Sequence, residues 1–191
     1  MSKLLVRVVL PLVAGGALLA GCTSTQGGTA SPAQSPSASE PGSPESPSSG
    51  GGGTQSITDA CSLLEMSDLS SYGKFHDPVK KSIGGARSCS YRQQIASASD
   101  DSKVIGVDVR DTASVAQVND NGGGVLDKDI NGRKAKESPG DAALPACTLA
   151  LPVGDASRVD VSLIGADSAD QACQIAEAVA KAAVEPRLPK G

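Results

Sequence analysis

Hydrophobic residues recur at every second position in much of the chain beyond residue 57. Ile105, Val107 and Val109 alternate with Gly106, Asp108 and Arg110, which predicts a half-buried strand over residues 103–110. Cys147, Leu149, Leu151 and Val153 repeat the pattern, as do Val159, Val161 and Leu163, with Gly154-Asp155 in the turn between. Pro152 marks an edge or a strand end. Residues 87–95 alternate more weakly and set Cys89 and Tyr91 on one face. Residues 125–136 read as a hairpin around Asn131-Gly132, a favoured two-residue turn. Such alternation implies one buried and one wetter face, as in antiparallel sheets.

Helical spacing appears at the two ends of this region. Thr58 or Asp59 caps a short helix holding Cys61, Leu63 and Leu64. Ser67 reads as a second N-cap, and Gly73 as the stop. Residues 112–118 read as a short helix with Val115 and Val118 inward. Ser168 opens the last helix and forms a capping box with Gln171. Ala172, Cys173, Ala176, Val179, Ala180 and Ala183 make its apolar stripe, and Pro186 stops it. Residues 74–85 and 137–145 read as loops. The expected fold is α+β, an antiparallel sheet with helices packed on one face.

Before residue 57 the pattern is lost. Residues 23–56 are almost all Ser, Pro, Gly, Thr, Ala and Gln, with Glu40 and Glu45 the only charges. They carry no aliphatic side chain larger than Ala, so nothing offsets the entropy of ordering them. They are expected to form a disordered stalk of roughly 30–35 Å r.m.s. span. Further back, Lys3 and Arg7 precede an apolar run over residues 8–19. That run is too short for the ~20 residues a membrane-spanning helix needs, and it matches an export signal. Leu19-Ala20-Gly21-Cys22 closes it and resembles the bacterial lipobox. The resemblance implies a diacylglyceryl group on Cys22 and cleavage before it. Three segments follow: a signal at 1–21, a lipidated Cys22 with linker to 56, and one domain over 57–191. The chain is expected at the extracytoplasmic face of the cell membrane.

Composition adds two constraints. The chain has formal charge -4, and loss of Lys3 and Arg7 leaves 15 cations against 21 acids, or -6. That balance argues against nucleic acid as a partner. One Phe, two Tyr and no Trp leave a core of small aliphatic residues that benefits from staples. Four cysteines beyond Cys22, namely Cys61, Cys89, Cys147 and Cys173, imply two disulfides in an exported chain. Three connectivities exist. Pairing of neighbours, Cys61–Cys89 with Cys147–Cys173, is favoured and gives about 3.5 kcal/mol per loop on the chain-entropy model. No C-x₂₋₄-C pair supports zinc.

Other motifs compete with plainer readings. Asp127, Asp129 and Asn131 with Gly132 resemble half of an EF-hand loop, a weak calcium candidate. Its twelfth position is Ser138 rather than Glu, and the same residues describe a hairpin turn. His76 beside Asp77 has no G-x-S-x-G partner and reads as surface. Residues 121–124, Asn-Gly-Gly-Gly, lack a phosphate-binding lysine and read as a mobile turn. Asp100-Asp101 reads as a solvated hairpin tip. No catalytic residue and no cofactor is expected.

The pieces together resemble a family of actinobacterial cell-envelope lipoproteins catalogued as a domain of unknown function. Its marks here are Cys61-Ser62-Leu63-Leu64, Ser88-Cys89-Ser90-Tyr91, Asn131-Gly132-Arg133, Cys147, and Asp170-Gln171-Ala172-Cys173. The resemblance covers about residues 57–190 and implies a surface lipoprotein but no substrate. A distant likeness to PsbP/Mog1-like α/β sandwich domains offers an alternative fold. The expected function is a non-enzymatic binding or scaffolding module with an envelope protein, glycan or lipid as ligand. The alternatives are an accessory subunit of an envelope enzyme or transporter, and a hydrolase.

Overall fold

The structure is a computed structural model and describes residues 53–97 and 102–190. The signal, Cys22, most of the linker and Asp100-Asp101 lie outside these residues.

Seven antiparallel strands form one sheet: β1 (Val79–Ile83), β2 (Ala86–Arg92), β3 (Val104–Arg110), β4 (Leu126–Ile130), β5 (Arg133–Pro139), β6 (Ala146–Pro152) and β7 (Arg158–Ile164). Their spatial order is β1-β2-β3-β7-β6-β5-β4. Two meanders, β1–β3 and β4–β7, therefore meet where β3 pairs with β7. The register sets Val107 opposite Val161 and Val161 opposite Leu149. Val107, Val109, Leu149, Leu151, Val159 and Val161 are fully buried on this inner face. Each such side chain contributes about 1.5–3 kcal/mol. Alternation fixes the face because a one-residue slip would turn the whole set outward.

Helical segments cover the inner face. They are two 3-10 turns (Ala60–Leu63 and Met66–Tyr72) and the helix α1 (Ala169–Val179). Ser168 Oγ accepts from Gln171 N, and Gln171 Oε1 accepts from Asp167 N rather than from the cap residue itself. Ala172, Cys173, Ala176 and Val179 are buried, so small side chains let α1 lie close to the sheet. Regular α geometry ends at Val179 and widens into a π turn over Ala180–Val184. Pro186 sits in the closing 3-10 turn, Glu185–Arg187. Arg187 then reaches back to the first meander's helical layer, with Nη1 2.9 Å from Asp68 Oδ2. Cys61–Cys89 and Cys147–Cys173 are both formed. The α+β expectation and its disulfide pairing hold, with the helical layer on one face. The outer face carries only the 3-10 turn Val115–Gln117 among the described residues, which is not the second layer of a sandwich.

The outer face is crossed by residues 111–125, which run from β3 to the far edge. Arg158 Nη1 donates to Ser114 O at 2.6 Å, and Asp160 is gripped by Arg110 and Arg158 at 2.6 and 2.7 Å.

Several boundaries differ from the sequence reading. The 3-10 turn Thr54–Ser56 belongs to the ordered body, not to the linker ending at 56. Thr54 is buried, and its Oγ1 donates to Asp111 Oδ1 at 2.6 Å. Arg87 Nη2 adds a bond to Thr54 O at 3.0 Å while also pairing with Asp111. Polar anchoring does what apolar burial does not. Residues 74–85 are not all loop, since they contain β1, whose five residues are all exposed. An edge strand with no buried face shows no periodicity. Residues 137–145 likewise yield their first three to β5. Ser67 is not the cap of the second turn; Glu65 is, with its N–H donating to Asp68 Oδ2 at 2.8 Å. The helix expected over 112–118 is a single 3-10 turn, and Val115 and Val118 are only half-buried.

Candidate functional site

On the inner face β4 and β5 extend beyond the edge that α1 covers. Leu126, Lys128 and Ile130 point inward from β4; Arg133, Ala135 and Glu137 do so from β5, because Leu126 pairs with Glu137 and Glu137 with Leu149. The uncovered strip and the flank of α1 enclose a cleft of about 330 Å³. Leu126, Lys128, Glu137, Pro139, Asp170, Cys173, Gln174 and Glu177 line it.

Glu137 is the unusual member. Only 2% of it is exposed, Oε1 lies 3.0 Å from Lys128 Nζ, and the buried Oε2 receives no donor. A buried carboxylate without full pairing is costly. Burial pushes its carboxyl above the ordinary range; the Glu177 carboxylate adds to this while Lys128 opposes it. Glu177 goes the other way. Lys128 Nζ at 2.6 Å, helped by Lys181 Nζ at 3.0 Å, holds it down to about 2. One lysine therefore sits between a carboxyl that burial pushes up and a carboxylate that pairing pulls down. Glu137 is also beside the second disulfide, one carboxylate oxygen lying within 4.8 Å of Sγ of both Cys147 and Cys173.

A second cleft of about 340 Å³ adjoins the first at Asp170 and lies at the N-terminus of α1. It is lined by Asp141, Asp167, Asp170 and small residues, and Asp141 Oδ1 is taken by the N–H groups of Ala143 and Leu144.

The residues singled out by sequence lie elsewhere, the two disulfides apart. Asp127 Oδ1 pairs with Lys136 Nζ, and Asp129 Oδ2 with Lys134 Nζ, both at 2.7 Å. Asp129 Oδ1 accepts from Gly132 N. Asn131 (φ 54°) and Gly132 (φ 90°) form the left-handed hairpin turn, and Asn131 Nδ2 donates to Lys181 O. The three calcium-candidate side chains are thus engaged separately. His76 and Asp77 are exposed on a loop. Residues 121–124 are not the mobile turn their composition suggests. Asn121 N donates to Ser138 Oγ at 2.8 Å, Asn121 Nδ2 to Thr148 Oγ1, and Gly123 N to Pro139 O. A Cβ on Gly123 would lie 3.0 Å from Pro139 O, so the approach requires glycine.

Sequence reasoning missed Lys128, Glu137 and Glu177. The signal was present: Ile130 and Ala135 mark the inward register, and Lys128 and Glu137 each lie two residues away on it.

Comparison with curated proteins and with solved structures gives no match. A family model described as "Protein of unknown function (DUF3558)" matches residues 17–186, so this chain belongs to that family.

Proposed function

We propose that this chain is a lipid-anchored extracytoplasmic module that binds or scaffolds another envelope component and has no catalytic activity of its own. The observation that carries the reading is the pair of disulfides closing the body in a chain that begins with a signal-like segment ending in Leu19-Ala20-Gly21-Cys22. Disulfides of this kind persist in oxidising compartments. A diacylated Cys22 anchors stably because two acyl chains hold where one is marginal. Residues 23–53 then serve as a leash of about 100 Å at full stretch. The origin we infer is an actinobacterial envelope.

The cleft beside α1 supports binding over hydrolysis. It opens beside Leu126, 46% exposed, and carries no serine, threonine or histidine among its lining residues. Glu137 and Glu177 share Lys128, which commits their charge to one another. The ligand is a protein, glycan or lipid, reached from the membrane surface. The accessory-subunit reading differs only in the partner being an enzyme or transporter.

Metabolic labelling with palmitate tests the anchor. The mature protein is expected to incorporate label and to sediment with membranes, and Cys22→Ala to lose both. Undiminished labelling of Cys22→Ala would overturn the anchor. A photo-crosslinker at Leu126 tests the binding role in living cells. One recurrent adduct is expected; its absence, with crosslinking from exposed Ile83 no weaker, would overturn the cleft as the contact.

A further inference from the structure

We propose that the Cys147–Cys173 disulfide is a thiol-exchange site, in which a small thiol entering the cleft attacks Cys173 and Glu137 supplies the proton taken up by the departing Cys147 sulfur. This does not depend on the anchor or on the identity of any bound partner.

Three observations converge. First, the two sulfurs are not equivalent. Cys173 lines the cleft and is 6% exposed, whereas Cys147 is 1% exposed and lies behind it on β6. An incoming nucleophile therefore meets Cys173, and Cys147 leaves. Second, a carboxylate oxygen of Glu137 lies within 4.8 Å of both sulfurs, with its Oε2 buried and undonated. A structural staple has no use for a buried acid there; an apolar side chain of that size would cost less. Third, burial pushes the Glu137 carboxyl above the ordinary range while Lys128 opposes it, which favours the protonated form the step needs.

The step balances without a further reagent. A thiolate R–S⁻ forms a bond to Cys173 Sγ, and the Cys173–Cys147 bond breaks with its electron pair on Cys147. The Glu137 carboxyl gives its proton to that sulfur and becomes a carboxylate 3.0 Å from Lys128 Nζ. A second thiol attacks the mixed disulfide at the small-molecule sulfur, releasing R–S–S–R and the Cys173 thiolate, which takes a proton from water. Two thiols are oxidised and one protein disulfide is reduced. Exchange is faster when the leaving sulfur is the better leaving group, and protonation makes it so. Asp170 and Glu177 at the rim are balanced by Lys128 and Lys181, both of which pair with Glu177, so the rim does not select thiols by charge. Completed exchange unclasps α1 from β6.

The first disulfide is the internal control. Its nearest cap carboxylate, Asp59, is held below the ordinary range by Lys80 and has no proton to give. The test treats the folded protein with cysteamine, or with 2-mercaptoethanesulfonate, at pH 6 to 9. Samples are quenched by alkylation and mapped by mass spectrometry. The expected result with either thiol is an adduct on Cys173 with alkylated Cys147. Glu137→Gln is expected to slow this disulfide about tenfold or more and to leave Cys61–Cys89 unchanged. An adduct on Cys147, an equal effect of Glu137→Gln on both disulfides, or no effect on either would overturn the proposal. Should Glu137→Gln not fold, Glu137→Asp, which keeps the acid, is expected to show the Cys173 adduct at a reduced rate and a shifted pH profile; an unshifted profile would overturn it.

Discussion

The two disulfides tie helical segments to the same face of one sheet, yet their surroundings are opposite. Cys61–Cys89 joins a 3-10 turn to β2 in an apolar setting. Leu63, Leu64, Leu69 and Tyr91 are buried around it. Tyr91 Oη donates to Leu64 O, and burial pushes that phenol to about 12. Its charged neighbours, Asp59 and Lys80, pair in solvent at 2.8 Å. Cys147–Cys173 joins α1 to β6 and has a buried acid, a lysine and a cleft beside it. The first region spends its polar groups on caps and clamps at its rim. The second brings charge inside. The contrast teaches that a covalent staple alone does not account for both sites, because the first performs that task with no buried acid or lysine beside it, only the Tyr91 phenol.

The largest expected effect asks whether the staples are equal as staples. Their loops have sequence separations of 28 and 26, so chain entropy assigns each about 3.5 kcal/mol. Cys61→Ala/Cys89→Ala and Cys147→Ala/Cys173→Ala are each expected to lower the melting midpoint by about 10 °C. Calorimetry of the two double variants checks this. A far smaller loss for the second pair would say that α1 is held by packing alone and that its disulfide serves another end.

A smaller effect separates the regions by pH. In the first, Arg87, with help from Thr54, holds Asp111 down to about 2. A carboxyl depressed in the folded state gives stability that is present above its unfolded value and lost as pH falls toward about 2. After solvent screening that is about 1 kcal/mol, and Asp111→Asn is expected to remove this part of the acid slope. Glu137 has the reverse sign. Its raised folded value means the native state keeps a proton the unfolded chain has released, so stability falls as pH rises from the ordinary carboxyl range through the raised one. Glu137→Gln is expected to flatten that decline and leave the acid limb, set by Asp111 and Glu177, in place. Denaturant midpoints from pH 2.5 to 8 measure both limbs. A Glu137→Gln variant with an unchanged upper limb would mean that the carboxyl is ionised in the fold.

The same contrast explains what the sequence revealed. Strands with one buried face were legible because Ile105, Val107, Val109, Val159 and Val161 obey a period of two. The disulfide pairing was legible because neighbouring cysteines close loops of similar size. β1 was hidden since Val79 and Ile83 are both exposed and leave no periodic trace. Thr54–Ser56 looked like linker because its anchors are hydrogen bonds to Arg87, Asp111 and Ser157, more than 30 residues away. The charged cleft was hidden for a related reason. Lys128, Glu137 and Glu177 come from three elements, and only the register of β4 with β5 and the placement of α1 bring them together.

The smallest expected effect sets the two faces of one hairpin against each other. Inward, Lys128 and Glu137 are drawn into the body; outward, Asp127 and Asp129 meet Lys136 and Lys134 across the strands in solvent. A calcium ion needs several oxygens converging at 2.3–2.6 Å. Here Asp129 already spends one oxygen on Gly132 N and the other on Lys134, and Asn131 turns its amide toward α1's continuation. Binding would break each of those contacts in exchange for three ligands and no bidentate Glu. Millimolar calcium is therefore expected to leave the melting midpoint unchanged, in the parent and in Asp129→Ala alike. Gly132→Ala, which forces a side chain into φ 90°, is expected to cost about 1 kcal/mol with or without the ion. A calcium-dependent rise in the parent that disappears in Asp129→Ala would show that the outward face, and not the inward cleft, is where this hairpin meets its ligand.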